Sequence, residues 1–551
     1  MKHRSVYRLK LAVCMLLTAT GGVKAQELVP YKNPDLPVEV RVKDLLQRMT
    51  LEEKVDQLNM KSLNALQTDN AGQVTDSSLV RLFQGRSIGC LESPFVEHHK
   101  VALYAEAADH YLRTQTRLGI PAIQIAECLH GQMALGTTIF PQAIGLGSTW
   151  NPELIRQMAS AIAAEASLSG VDQALSPLFD LARDPRYGRV EECYGEDPWL
   201  VKEMGVAFVT GMQGEASQTR SGIAEGKLAC TAKHFVAYSV PEAGINLAPS
   251  LVGERTLREL HFVPFKAAVQ EANVYSLMPG YHEVDGIPVH ASHWLLTDVL
   301  RKEWGFGGYV FSDYGAVGML DNFHYTAADL SESAVQALTA GVDLEAPGSY
   351  AYGHLENLVR EGKVPEALVD SAVVRILRVK FKLGLFERSF HYSEKKAKAV
   401  VHRQEHVDLA QRIAEESVVL LKNQDRTLPL VRNRLKRIAV IGPNADKVQF
   451  GDYSITKNND YGVTVLEGIR RYAGKEVEVS YAEGCGITSL SKDGFAEAAR
   501  LARESDVVVL VLGGTSVIYS GIGWGDANSK EVNTCGEGYD RNELNFPGVC
   551  L

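Results

Sequence analysis

At 551 residues, with hydrophobic residues at 45% and charged residues at 23%, the chain has the composition of a folded globular protein, not of a disordered or collagen-like one. About 150 residues per domain is a soft guide that barrels exceed, so two domains are expected. A formal charge of −10 and the lack of a basic stripe argue against nucleic acid as a partner, while a neutral ligand is compatible.

Residues 1–25 read as a signal peptide. Lys2, His3, Arg4, Arg8 and Lys10 precede the apolar run 11–17, and Val23-Lys24-Ala25 supplies small residues at a cleavage position. Export, to the periplasm or beyond, is the expectation. Cys14 follows Val13 inside an apolar stretch that continues past it, which argues against lipid attachment. No other segment reaches the roughly 18 apolar residues of a membrane span. Beyond the leader, Cys90, Cys128, Cys193, Cys230, Cys485, Cys535 and Cys550 are scattered and form no CxxC pair, so neither a zinc site nor a dense disulfide frame is expected.

A helical segment over 44–49 leads to Thr50-Leu-Glu-Glu53, a capping box that opens a helix over 51–60. A rhythm of short apolar runs ending in polar clusters follows. The run from Pro121 ends at Glu127 and His130, that from Gln173 at Asp180, and that from Lys227 at Lys233-His234. The run from Val274 ends near Tyr281, that from Gly308 at Asp313, and that from Gly341 at Glu345. Helices are expected between them over 154–168 and 258–272, and from a capping box at Ser333 to a stop at Gly341. Such alternation marks repeated βα units, and polar groups at nearly every strand end favour a (β/α)8 TIM-barrel-like domain with its site at the C-terminal face. A doubly wound open sheet, the alternative, would gather its groups at one switch point.

Near residue 390 the pattern changes. The expected division is a barrel over 26–390, a linker over 391–436 and a second, unfinished α/β unit over 437–551. Its elements are a strand at 437–442, a helix at 494–504 and a strand at 506–512. Gly521-Ile-Gly523-Trp-Gly525 lacks the helix that a dinucleotide loop requires, so no cofactor is expected.

The stretch 304–318 brings an apolar strand to an abrupt stop at Asp313, with glycines on both sides for turning and close approach. Asp313 could simply cap the next helix. The other strand ends offer a Lys-His pair, an arginine, a Glu beside a His and a tyrosine, without a Ser-His-Asp order, a P-loop or metal spacing. Many hydrogen-bonding groups around one carboxylate suit a polyhydroxylated ligand. Glycoside hydrolysis would need a second carboxyl group from elsewhere in the chain.

Six motifs carry a resemblance that spans nearly the whole chain after the leader. They are Phe140-Pro-Gln-Ala-Ile-Gly-Leu-Gly-Ser-Thr-Trp-Asn151, Ala182-Arg-Asp-Pro-Arg-Tyr-Gly-Arg189 with Tyr194-Gly-Glu-Asp-Pro198, Lys233-His-Phe, Glu254-Arg-Thr-Leu-Arg-Glu259, Ser312-Asp-Tyr and Glu537-Gly-Tyr-Asp-Arg541. On these the sequence resembles glycoside hydrolase family 3. The resemblance implies a barrel, a linker and an α/β sandwich domain, partial over 437–551, reaching over the barrel mouth. It also implies a retaining exo-β-glycosidase, of β-xylosidase or β-glucosidase type, acting on non-reducing ends of plant-type oligosaccharides. Asp313 would be the nucleophile and Glu537 the general acid/base, about 5 to 5.5 Å apart. Lys233, His234 and Arg189 would hold sugar hydroxyls, Tyr281 would flank the nucleophile, and no metal or cofactor would be needed. The cations are expected to lower the Asp313 pKa and keep it ionised.

Glu127, in Ala126-Glu-Cys-Leu-His-Gly131, stands where the resemblance gives many glucosidases an Asp and many xylosidase-like members a Glu. A longer acid would crowd a hexose hydroxymethyl group and favour a pentose. The loop after Lys233-His234 lacks the histidine of members that cleave N-acetylglucosamine. Family members normally continue well past Pro547-Gly548, so the alternative is a catalytically inactive, shortened member that at most binds sugar. Tyr194 and Trp304 are expected in the core, and Asp180 and Glu345 as braces of the barrel mouth.

Overall fold

The computed structural model describes residues 29–456, 458–516 and 533–549. The leader and the Gly521 to Gly525 loop therefore lie outside the described residues. Six parallel strands follow in order, β1 (Met60–Ser62), β2 (Cys90–Glu92), β3 (Ile123–Ala126), β4 (Gln173–Ala174), β5 (Ala229–Phe235) and β6 (Ser276–Pro279). A small hairpin, β7 (Glu283–Val284) with β8 (Ile287–Pro288), stands apart, and β9 (Tyr309–Val310) then completes the seven-stranded sheet beside β6. Residues 344 and 345 join the two edges: Leu344 bridges Phe311, and Glu345 bridges Asn59, both in parallel. The amide of Glu345 donates to Leu58 O at 2.9 Å and that of Ser312 to Leu344 O at 2.9 Å. The curled parallel sheet is thus closed as a TIM-barrel-like domain, and its strand ends face one mouth.

Local chemistry explains the elements. Thr50 and Glu53 form the reciprocal capping box, although the helix they open, Leu51–Gln57, ends early because Met60 begins β1. Asn151 caps Pro152–Ala166, with proline in the first turn where its missing N–H is harmless. Asp329, not Ser333, caps Leu330–Ala340 by accepting from Glu332 N, and Gly341 closes that helix as expected. The expected 258–272 helix is wound more widely over Leu257–His261 before it becomes regular over Phe262–Gln270. Gly308 cannot carry a side chain, since a Cβ there would lie 2.2 Å from Tyr275 O; this lets the chain reach β6 and turn into β9.

One large apolar cluster fills the space between sheet and helices, and it takes in Trp304 and Tyr194. The segment 391–436 contains helices Glu394–Val400 and Gln404–Ser417. The second of these lies on the barrel, where Ile413 is buried in the core and His406 Nδ1 meets Glu165 Oε1. Beyond it, β10 (Arg437–Ile441) pairs in parallel with β11 (Glu478–Ala482) on one side and β12 (Val507–Leu510) on the other. Helices Val465–Ala473 and Phe495–Glu504 complete the described part of this unit.

Candidate functional site

Asp313 follows β9, three residues past the last strand position. Its amide donates to His290 Nε2 at 3.2 Å, and its Oδ1 accepts from Tyr314 N at 2.8 Å. Oδ2 is buried and has no hydrogen-bond partner of good geometry. A buried carboxylate oriented by its own backbone is chemically able to act as a nucleophile.

His234 and Lys233, at the end of β5, lie beside it. His234 Nδ1 donates to Asp180 Oδ2 at 2.9 Å, and the same oxygen accepts the His234 amide at 3.0 Å. Nε2 faces Nη2 of Arg189 at 3.2 Å, so it is the acceptor. Burial, followed by the Arg189 and Lys233 cations, holds the His234 pKa well below its usual value and keeps the ring neutral. Its Nε2 lies 3.8 Å from Asp313 Oδ2, too far for a hydrogen bond. Lys233 Nζ sits 3.2 Å from both oxygens of Glu127 and 4.9 Å from the Tyr453 ring centre.

Arg189 is the hub. Its side chain is 1% exposed; Nε and Nη2 bind the two Glu192 oxygens at 2.6 and 2.9 Å, and Nη1 reaches Glu537 Oε1 at 3.1 Å. Nη2 also donates to the Tyr453 hydroxyl at 3.2 Å. That hydroxyl donates to Glu537 Oε2 at 2.9 Å, and the Glu537 amide donates to Asp452 Oδ2 at 2.7 Å. His234, Arg189 and Glu537 therefore form one hydrogen-bonded line from barrel to second unit, with Asp313 beside its barrel end, 3.8 Å from His234.

Burial reverses the expected electrostatics at Asp313. Burial first, then the charge of Glu537, raise its pKa to about 6; Arg189, the Tyr281 hydroxyl and Lys233 oppose them without prevailing. The cations do not depress this carboxyl below its usual range, because desolvation outweighs them. Burial similarly lifts Glu127 and Asp180 to about 7. Glu345 is also lifted to about 7, mainly by burial, and its oxygens accept the amides of Ala351 and Tyr352, a loop-bracing role.

The residues singled out in the sequence, Glu127, Arg189, Lys233, His234, Tyr281, Asp313 and Glu537, occupy this one region. Tyr281 is half-buried, its ring 6.1 Å from that of Tyr238. His130 is a buried connector: its Nδ1 faces Phe140 O and its Nε2 faces Asp452 O, each at 2.9 Å. Sequence reasoning missed Glu192, Asp452, Tyr453 and His290. Only Glu192 had a local signal, three residues after Arg189 on the same helical turn; Tyr453 lies 264 residues from the arginine it meets.

Comparison with known proteins agrees with this architecture. Residues 50–379 match the glycosyl hydrolase family 3 N terminal domain and residues 418–550 the family 3 C-terminal domain. The chain belongs to glycosyl hydrolase family 3. It is similar to a "Beta-xylosidase" of Formosa agariphila, 41% identical over 452 residues that cover 79% of this chain and 60% of that protein. A "Periplasmic beta-glucosidase" of Salmonella typhimurium is 32% identical over 516 residues, 88% of this chain and 64% of that one. The solved structure of a β-glucosidase from Erythrobacter marinus superposes with a TM-score of 0.85 at 35% identity, covering 95% of this chain and 70% of that chain. The Listeria innocua β-glucosidase in complex with glucose gives 0.78 at 33% identity, covering 93% and 67%. The chain spans less than two thirds of the length of these two curated relatives.

Proposed function

We propose that this chain is a retaining exo-β-glycosidase of β-xylosidase or β-glucosidase type. In this reading the Asp313 carboxylate attacks the anomeric carbon while the glycosidic C–O bond breaks and Glu537 delivers its proton to the departing oxygen. Water then adds to the same carbon, Glu537 takes its proton, and the bond to Asp313 breaks. The observation that carries the reading is that a buried carboxylate on the barrel lies 3.8 Å from the His234 end of a hydrogen-bonded line that runs through Arg189 to a second carboxyl group on the other unit.

Lys233, His234, Glu127 and Tyr281 are the proposed ligands for sugar hydroxyls, and Arg189 acts on the sugar site chiefly by holding Glu537. Glu127, paired with Lys233, favours a pentose over a hexose, in line with the xylosidase name of the Formosa relative. Oligosaccharides with β-linked, non-reducing terminal sugars are the proposed substrates. Export to the periplasm or beyond is supported by the leader reading and by the periplasmic Salmonella relative.

Hydrolysis of 4-nitrophenyl β-xyloside and β-glucoside, side by side and with Asp313→Ala as the blank, tests the proposal. Release above the blank, faster on the xyloside, is the expected result. A folded chain that binds sugar but releases no nitrophenol from either would contradict it and favour a sugar-binding remnant.

A further inference from the structure

Taking Glu537 as the acid/base, something must hold its loop against a barrel to which it is not covalently adjacent. We propose that Asp540 is a positioning residue that latches the Glu537 loop onto two barrel loops, with Gly188 as the seat that receives it. Asp540 Oδ1 accepts the amide of Gly188 at 2.8 Å, and Oδ2 accepts the amide of Asn246 at 2.6 Å. One carboxylate thus ties together the loop after β4, the loop after β5 and its own.

Main-chain bonds flank this clasp: Gly536 N donates to Gly188 O at 2.8 Å, and Arg541 N donates to Arg186 O at 2.7 Å. Glu537 lies between these anchors, so its reach to Arg189 is set by main chain on both sides. Asn246 also accepts the Tyr238 hydroxyl at 2.6 Å, and the Tyr238 ring packs edge-on to His234, 5.2 Å between centres. The latch therefore shares supports with the nucleophile side of the site.

Gly188 gives an independent reason. A Cβ at this buried position would lie 2.4 Å from Gly536 O and 2.5 Å from Tyr539 O, both on the Glu537 loop. Gly188 is not in the left-handed region of backbone space, so the glycine is required by the approaching loop and not by its own conformation. The sequence contains both halves of the contact, Arg186-Tyr-Gly-Arg189 and Glu537-Gly-Tyr-Asp-Arg541, but 352 residues separate Gly188 from Asp540.

Asp540→Ala, Asp540→Asn and Gly188→Ala are compared with Glu537→Ala in the full chain, with kcat/KM read on an activated dinitrophenyl xyloside and on an unactivated aryl xyloside. Each latch variant should lose about 30-fold or more on the unactivated substrate and about 3-fold or less on the activated one, since only the former needs the proton. Amide hydrogen exchange of the full chain should show Gly536 and Arg541 losing protection by about tenfold or more in the same variants. Unchanged protection, or equal losses on both substrates, overturns the latch. Glu537→Ala with no leaving-group dependence would instead overturn the reading of Glu537, and the latch with it.

Discussion

Nη1 of Arg189 meets Oε1 of Glu537 at 3.1 Å, so a barrel residue fixes the carboxyl group of the second unit while its other nitrogens are held by Glu192. Because Arg189 and Glu192 are fully buried, deleting one partner strands the other. Arg189→Met is expected to lower unfolding free energy by about 3–5 kcal/mol. Arg189→Met combined with Glu192→Leu should recover most of it. Urea unfolding of the two variants checks this; equal losses would show that the ion pair does not organise the site.

Tyr453 donates to Glu537 Oε2 and lays its ring near Lys233. Tyr453→Phe keeps the ring and removes the hydroxyl, a loss of about 1–2 kcal/mol for a carboxyl oxygen left without its donor. We expect kcat/KM on unactivated aryl glycosides to fall by about 5- to 30-fold, with little change in Tm. Wild-type rates would remove Tyr453 from the acid/base arrangement.

The raised pKa of Asp313 carries two pH signatures. As the proposed nucleophile, Asp313 must be ionised, so kcat/KM should decline about tenfold per unit as pH falls below about 6. For stability the sign is reversed: the folded state holds the proton more tightly than the unfolded chain. The favourable contribution is therefore complete below the ordinary carboxylate pKa and lost as pH rises through about 6. At pH 8 the buried carboxylate costs roughly 3 kcal/mol by this linkage. Asp313→Asn should then raise Tm by a few degrees at pH 8 and leave it nearly unchanged at pH 4; a Tm gain equal at both would reject the assignment.

Glu127 accepts Lys233 at 3.2 Å through both oxygens. Glu127→Asp shortens the acid and opens space for a hydroxymethyl group. The ratio of xyloside to glucoside kcat/KM is expected to drop about tenfold, the size of effect available to a small steric change. An unchanged ratio would move the choice of sugar elsewhere.

Six barrel positions are legible in the sequence because each couples an apolar run to a polar end, as Gly308 to Asp313 does. The strands Met60–Ser62 and Cys90–Glu92 are not legible, since three residues establish no period and each contains a polar side chain. The run from Gly341 to Glu345 is legible, but its closure of the sheet is not, since that rests on single main-chain bridges to Phe311 and Asn59. Motif residues such as Lys233 and Glu537 could be found by resemblance, but their partners could not. Asp452 and Tyr453 sit in a turn with no chemical signature and matter only because the fold carries them onto Arg189 and Glu537. The pKa of Asp313 is not legible for a related reason: charges can be counted in a sequence, whereas desolvation needs the packed site.

The covalent step is the claim on which the rest depends. Intact-mass spectrometry after incubation with 2,4-dinitrophenyl 2-deoxy-2-fluoro-β-xyloside, followed by peptide mapping, reads it directly. One glycosyl group esterified to Asp313, absent from Asp313→Ala, is the expected result. Rapid release of dinitrophenol with no adduct, or an adduct on another carboxylate, would contradict Asp313 as the nucleophile.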